Sequence, residues 1–184
     1  MDVSKINSLV ELYFKKVEQI DKKKPFLKWL NPKNNHQYNW EEVTEKIYKF
    51  SYKIKSLIKE GDRVLLLSEN RPEWLIADLA IMNAGGITVP IFTTYAKRDY
   101  EYILKDCSPS LIVVSNDTQF EKINKFIDNK EIISFEKIKT SSITFESIFN
   151  EKYEKEINDK LNRKLPACII YTSGTSGNPK GVIL

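Results

Sequence analysis

Apolar positions change their spacing several times along the chain, and each change marks an element. In SLVELYFKKVEQI, residues 8–20, the side chains Leu9, Leu12, Tyr13 and Val17 recur at helical spacing. This predicts an amphipathic helix with those four on its covered face. Such a helix either packs on its own domain or lies on a membrane surface; packing is the simpler expectation. Residues 25–30 predict a short strand, and NPKNNHQ after them a polar loop with His36 at the surface. Asn39 followed three residues later by Glu42 is a capping-box pattern. The helix it opens carries Val43, Ile47, Phe50, Ile54 and Leu57 on one face and stops at Gly61.

Beyond Gly61, short apolar runs alternate with amphipathic stretches. VLLL (64–67) predicts a buried strand, and ITVPIF (87–92), SLIVVS (110–115), EIISF (131–135) and ACIIY (167–171) each predict a strand. A helix with Pro72 in its first turn runs to the Gly85-Gly86 pair. Two more helices are expected at 98–107 and 119–127, and the charged segment 143–164 is expected to be mostly helical and exposed. The alternation predicts an α/β fold, a mainly parallel sheet flanked by helices on both faces.

Composition narrows the classes. A length of 184 residues suggests one domain, or one domain with part of another. Hydrophobic residues at 41% suffice for a core, and a net charge of +4 spread along the chain gives no nucleic-acid stripe. The KKK run at 22–24 is a solvated connector. Two distant cysteines, Cys107 and Cys168, and the single His36 argue against a disulfide framework or a His/Cys metal cluster. The N-terminus has no cleavable-leader pattern, and no apolar run reaches the roughly 18 residues that span a bilayer. The cytoplasm is the default location, with peripheral membrane contact left open. Oligomeric state is unspecified.

The candidate chemistry lies in YTSGTSGNPKGV, residues 171–182. Glycines at 174, 177 and 181 let the backbone approach a ligand closely. Thr172, Ser173, Thr175 and Ser176 bring hydroxyls, successive N–H groups can form an anion nest, and Lys180 behind Pro179 adds a cation. The segment contains no acidic residue. These features suit a polyphosphate cradle; composition alone fits a plain Gly/Ser surface loop equally well. The Walker A pattern is not met, because only Thr175 and Ser176 separate Gly174 from Gly177 and no Gly-Lys pair follows.

As a string, YTSGTSGNPKGV resembles the phosphate-loop signature of the adenylate-forming enzymes, the superfamily of acyl-CoA synthetases, luciferases and peptide-synthetase adenylation domains. The resemblance extends upstream from Gly61 to Ser115, and NWEEV resembles the start of the family's first large helix. ENRPEW and AGGITVPIF look most like the long-chain fatty acyl-CoA synthetase branch. The resemblance implies ATP, Mg²⁺ and coenzyme A as reactants or cofactors. It implies that Ser173, Gly174, Thr175, Ser176 and Gly177 wrap the β- and γ-phosphates, that Thr172 contacts Mg²⁺ and phosphate, and that Lys180 is the catalytic cation paired with the leaving pyrophosphate. Arg71 and Trp74 are expected to be structural, and Tyr95 to lie toward the acyl side.

The adenine-binding motif, the ribose-binding aspartate and the lid-domain lysine of the family have no counterpart in the sequence. Residues 1–184 are therefore expected to be an N-terminal fragment of an AMP-binding domain, inactive alone. Three alternatives stay open: an amino-acid- or aryl-acid-adenylating enzyme, a non-catalytic nucleotide-binding unit, and an ATPase or kinase releasing ADP.

Overall fold

A computed structural model describes residues 2–30, 35–140, 143–172 and 177–184. Five parallel strands form the central sheet: β3 (Arg63–Leu67), β4 (Ile87–Ile91), β5 (Leu111–Val114), β6 (Glu131–Ser134) and β7 (Ile143–Thr144), in the spatial order β4-β3-β5-β6-β7. Strand β7, two residues long, carries no period that the sequence could announce. Helices α1 (Leu9–Glu18), α2 (Trp40–Lys55), α3 (Pro72–Asn83) and α6 (Phe145–Phe149) supply one flanking layer. Helices α4 (Lys97–Cys107) and α5 (Asp117–Ile123) supply the other.

Side-chain alternation along the strands divides the core in two. Val64 and Leu66 of β3 and Leu111 and Val113 of β5 point into the α1–α2–α3 layer. Leu65, Leu67, Ile112 and Val114 point into the α4–α5 layer. Both sets are buried, which is why these strands read as unbroken apolar runs. Helix α2 begins as its sequence predicts. Asn39 Oδ1 accepts from Glu42 N at 2.9 Å, and Glu42 Oε2 accepts from Asn39 N at 2.8 Å.

Three expectations are corrected. Helix α1 buries Val10, Tyr13, Phe14 and Val17, while Leu9 is 54% exposed. The covered face is thus rotated toward the aromatic side chains, which pack edge-on with each other and beneath Trp40 and Tyr48. His36 lies in a strand: β1 (Pro25–Trp29) pairs antiparallel with β2 (His36–Asn39), and His36 stays exposed there. The charged segment is helical only over Phe145–Phe149, and residues 152–164 run without helix or strand.

One half-buried charge works against stability. Asp78 on α3 is partly shielded from solvent, and that burial raises its carboxyl above the usual carboxylate range. A raised pKa in the folded state makes protonation favour folding. That contribution is present below the unfolded pKa and is lost as pH rises through the folded value. Asp78→Asn is therefore expected to raise Tm by a few degrees at pH 7, with the gain shrinking toward about pH 4. Thermal melts of both proteins at the two pH values check this, and a variant that melts lower at pH 7 would reverse the sign of the argument.

Candidate functional site

The segment that bears the candidate chemistry brackets a hairpin. Strand β8 (Ile169–Thr172) pairs antiparallel with β9 (Lys180–Ile183), with Thr172 opposite Lys180 and Tyr171 opposite Gly181. Directly opposed residues in an antiparallel pair project from the same face. Thr172 and Lys180 therefore share one face, and both are exposed. Tyr171 and Gly181 share the other. The base of the hairpin docks on the edge strand β4, through a parallel bridge of Cys168 to Thr88 and a 3.2 Å bond from Thr88 N to Ala167 O.

Tyr171 anchors the hairpin to the body. Its ring is 2% exposed within the α4–α5 core. Its hydroxyl donates to the carboxylate of Asp106 on α4, and its backbone carbonyl accepts from Tyr95 Oη at 2.8 Å. Burial, with the neighbouring Asp106 carboxylate, pushes the Tyr171 phenol far above its usual range, so it serves as a neutral donor. Across the pair, a Cβ on Gly181 would lie 2.9 Å from Ile169 Cγ2 and 3.2 Å from Tyr171 Cζ. The glycine is thus the gap into which the anchored tyrosine fits.

The opposite face has a different character. Lys180 has no carboxylate partner among the described residues, and no acidic side chain occurs from 171 to 184. Gly177 takes φ +101°, a left-handed conformation that side chains resist, with open space where its Cβ would be. Pro179 is buried beside Lys180. Ser173, Gly174, Thr175 and Ser176 lie outside the described residues. Thr172, Gly177 and Lys180 are the expected phosphate-contacting residues that are described, and the hairpin brings Thr172 and Lys180 face to face. The described residues hold no cluster of three or more His, Cys, Asp or Glu able to bind a metal. A cation at this hairpin would need its charge partners from a ligand, which Thr172's hydroxyl could supplement.

The ENRPEW residues are scaffolding, as expected for Arg71 and Trp74. Arg71 donates to Glu73 at 2.8 Å and Glu136 at 2.6 Å, and stacks over Trp29 and Phe135. Trp74 packs against the α1–α2–α3 core. Glu69 enters the crevice between β3 and β5, where the strand order of a doubly wound sheet reverses and ligands commonly bind. There it accepts from Ser115 Oγ at 2.6 Å, Gln119 Nε2 at 2.5 Å and Asn116 Nδ2 at 3.4 Å. Tyr95 ties to the hairpin backbone through its hydroxyl. Sequence reading missed the Tyr171–Asp106 anchor; the small residue opposite a large aromatic was its one local sign.

Comparison with known proteins gives a consistent picture. The family model described as AMP-binding enzyme matches residues 14–184. The chicken long-chain-fatty-acid–CoA ligase ACSBG2 is 33% identical over 176 residues, covering 84% of this chain and 23% of that protein. The human long-chain-fatty-acid–CoA ligase ACSBG1 is 29% identical over 168 residues, covering 80% of this chain and 23% of that protein. The chain thus spans about a quarter of the length of these relatives. Among solved structures, the anthranilate CoA ligase AuaEII superposes with a TM-score of 0.83 at 22% identity, over all of this chain and 36% of that one. The luciferase-like enzyme of the mealworm Zophobas morio superposes with a TM-score of 0.83 at 19% identity, over all of this chain and 44% of that one. These two likenesses establish the fold.

Proposed function

The chain belongs to the AMP-binding enzyme family, and from that premise we propose that residues 1–184 supply the N-terminal, phosphate-holding part of an AMP-forming acyl-CoA synthetase whose acid is a fatty acid. The observation that carries the reading is the cross-strand pairing of Thr172 with Lys180 on the free face of an anchored hairpin. The fatty-acid substrate is supported by the naming of the chicken and human relatives, and by ENRPEW and AGGITVPIF.

In the proposed reaction, a carboxylate oxygen attacks the α-phosphorus of ATP and the bond to the β-phosphate oxygen breaks. Acyl-adenylate and pyrophosphate result. The thiol of coenzyme A then attacks the acyl carbon, AMP leaves, and the thiol proton is lost to solvent or base. Negative charge grows on the departing pyrophosphate, so preorganised donors placed there lower the barrier. Lys180 is assigned that charge, and Ser173, Gly174, Thr175, Ser176 and Gly177 the β- and γ-phosphates. Thr172 is assigned a contact to phosphate and to phosphate-bound Mg²⁺. When bound, Mg²⁺ would neutralise phosphate charge. The Tyr171 anchor keeps β8, and hence the partner strand bearing Lys180, from drifting during the step.

No helix among the described residues is long and apolar enough to cross a membrane. Cytoplasmic residence is part of the proposal, with peripheral membrane contact left open.

ATP binding tests the reading. Lys180→Ala is expected to weaken ATP binding about tenfold, as loss of one charge-assisted contact would. Equal affinities measured by calorimetry would remove Lys180 from the phosphate site. Products give a second check: in a full-length enzyme that contains this chain, fatty-acid-dependent turnover should release AMP and pyrophosphate, whereas ADP would point to a kinase or ATPase.

A further inference from the structure

We propose that Lys122 on α5 is a positioning residue for the phosphate hairpin, acting through Tyr95 in the segment that joins β4 to α4. The proposal rests on the reading of that hairpin as the holder of the ATP phosphates.

Segment 92–96 runs without helix or strand, and Phe92 at its start is 63% exposed. A stretch with no ladder bonds and few buried side chains opens easily unless other groups tie its backbone. Yet this segment carries Tyr95, whose hydroxyl donates to Tyr171 O at 2.8 Å, one residue before Thr172. Tyr95 can hold the hairpin only as firmly as its own backbone is held. From α4, Tyr100 Oη donates to Phe92 O at 2.9 Å. From α5, Lys122 Nζ donates to Thr93 O at 2.7 Å.

Lys122 is in turn rooted in the ends of the central sheet. Its Nζ also donates to Gln119 Oε1 at 2.8 Å. Gln119 is buried, and its Nε2 donates to Glu69 Oε1 at 2.5 Å. Glu69 follows β3 and accepts from Ser115 Oγ, just past β5, at 2.6 Å. Charge fixes the direction of the amide: its oxygen must face the ammonium and its NH₂ the carboxylate. Among the described residues no carboxylate pairs with Lys122, so its charge is satisfied by two neutral oxygens. Bonds from a charged donor are the stronger kind. The chain of contacts thus runs from Glu69 through Gln119 and Lys122 to the Thr93 carbonyl, then through Tyr95 to β8, whose partner strand bears Lys180. Continuity of this kind amounts to positioning only if both ends respond to a break between them.

The test uses the full-length enzyme that contains this chain, as Lys122→Met, Tyr95→Phe and the double variant. Methionine keeps most of the aliphatic stem and removes the ammonium. In Lys122→Met, hydrogen exchange read by mass spectrometry is expected to run about tenfold faster at the amides of β8 and β9, with β3 and β5 unchanged. The KM for ATP is expected to rise about tenfold while the KM for the fatty acid stays where it was. Tyr95→Phe should act in the same direction, and the double variant should go no further than the larger single effect, because both substitutions break one path. Hairpin exchange or ATP KM unmoved by Lys122→Met, exchange equally faster in β3 and β5, or effects that multiply in the double variant would each overturn the proposal. Lys180→Ala in the same enzyme locates the failure. If it alone raises the KM for ATP, the Lys122 path is wrong and the ligase reading stands; if it too leaves that KM unmoved, the ligase reading has failed.

Discussion

Gly181→Val is expected to weaken ATP binding by about tenfold to a hundredfold while the five-stranded sheet stays folded. Any Cβ at this position meets Ile169 Cγ2 at 2.9 Å and Tyr171 Cζ and Cε1 at 3.2 and 3.4 Å. The tyrosine cannot yield, because its ring is buried, its hydroxyl is bound to Asp106 and its carbonyl is bound to Tyr95. Strand β9 must move instead, and Lys180 moves with it. Overpacking of this kind costs about 1–3 kcal/mol, and each 1.4 kcal/mol is about tenfold in affinity. The core under helices α1, α2 and α3 does not include the hairpin's Tyr171, so far-ultraviolet dichroism should be retained. Gly177→Ala is the control. Its φ of +101° strains an alanine, but open space surrounds the position, so a smaller loss is expected. Unchanged ATP affinity in Gly181→Val would show that the hairpin's register does not place the ligand.

What was legible in the sequence was whatever local spacing controls. The α2 capping box needs only residues 39 and 42, and β3 and β5 need only a run of apolar side chains between turns. What was not legible depends on partners far along the chain. The segment 152–164 is charged enough to read as an exposed helix. Its backbone is instead claimed by buried Asn83, whose Nδ2 donates to Glu156 O at 2.9 Å and whose Oδ1 accepts from Asn158 N at 2.9 Å. Arg163 then donates to the carbonyls of Ile6 and Val3 at 2.7 Å. Backbone groups satisfied by distant side chains have no need of a helical ladder. The segment 171–182 shows the same division. Its composition was legible, but the antiparallel pairing of Thr172 with Lys180 was not. Its tie to α4 joins Tyr171 to an aspartate 65 residues earlier, which no spacing rule reaches.

Glu69→Ala is expected to destabilise the protein by about 3 kcal/mol at pH 7, which for a chain of this length is a Tm loss of roughly 6–12 °C. Ser115 and Gln119 are buried and both donate to this carboxylate. Removing the acceptor strands both donors where water enters poorly, and an unmade buried bond is more damaging than a made one is helpful. The pH dependence distinguishes this account from simple loss of packing. Burial pushes the Glu69 carboxyl up, but the bonds from Ser115, its own backbone, Gln119 and Asn116 outweigh it and hold the group below its ordinary 4.5. A depressed pKa in the folded state contributes stability above the unfolded pKa, and that contribution disappears as pH falls through the folded value. The gap in Tm between wild type and Glu69→Ala should therefore narrow once pH drops below about 4.5. Glu69→Gln keeps an acceptor for one donor, so it should lose less at pH 7 and give a gap that closes over the same window. A pH-independent gap would make Glu69 a packing residue only. A narrowing gap would mean that the ionised Glu69 carboxylate ties the end of β3 to Ser115 and Gln119 beyond the end of β5.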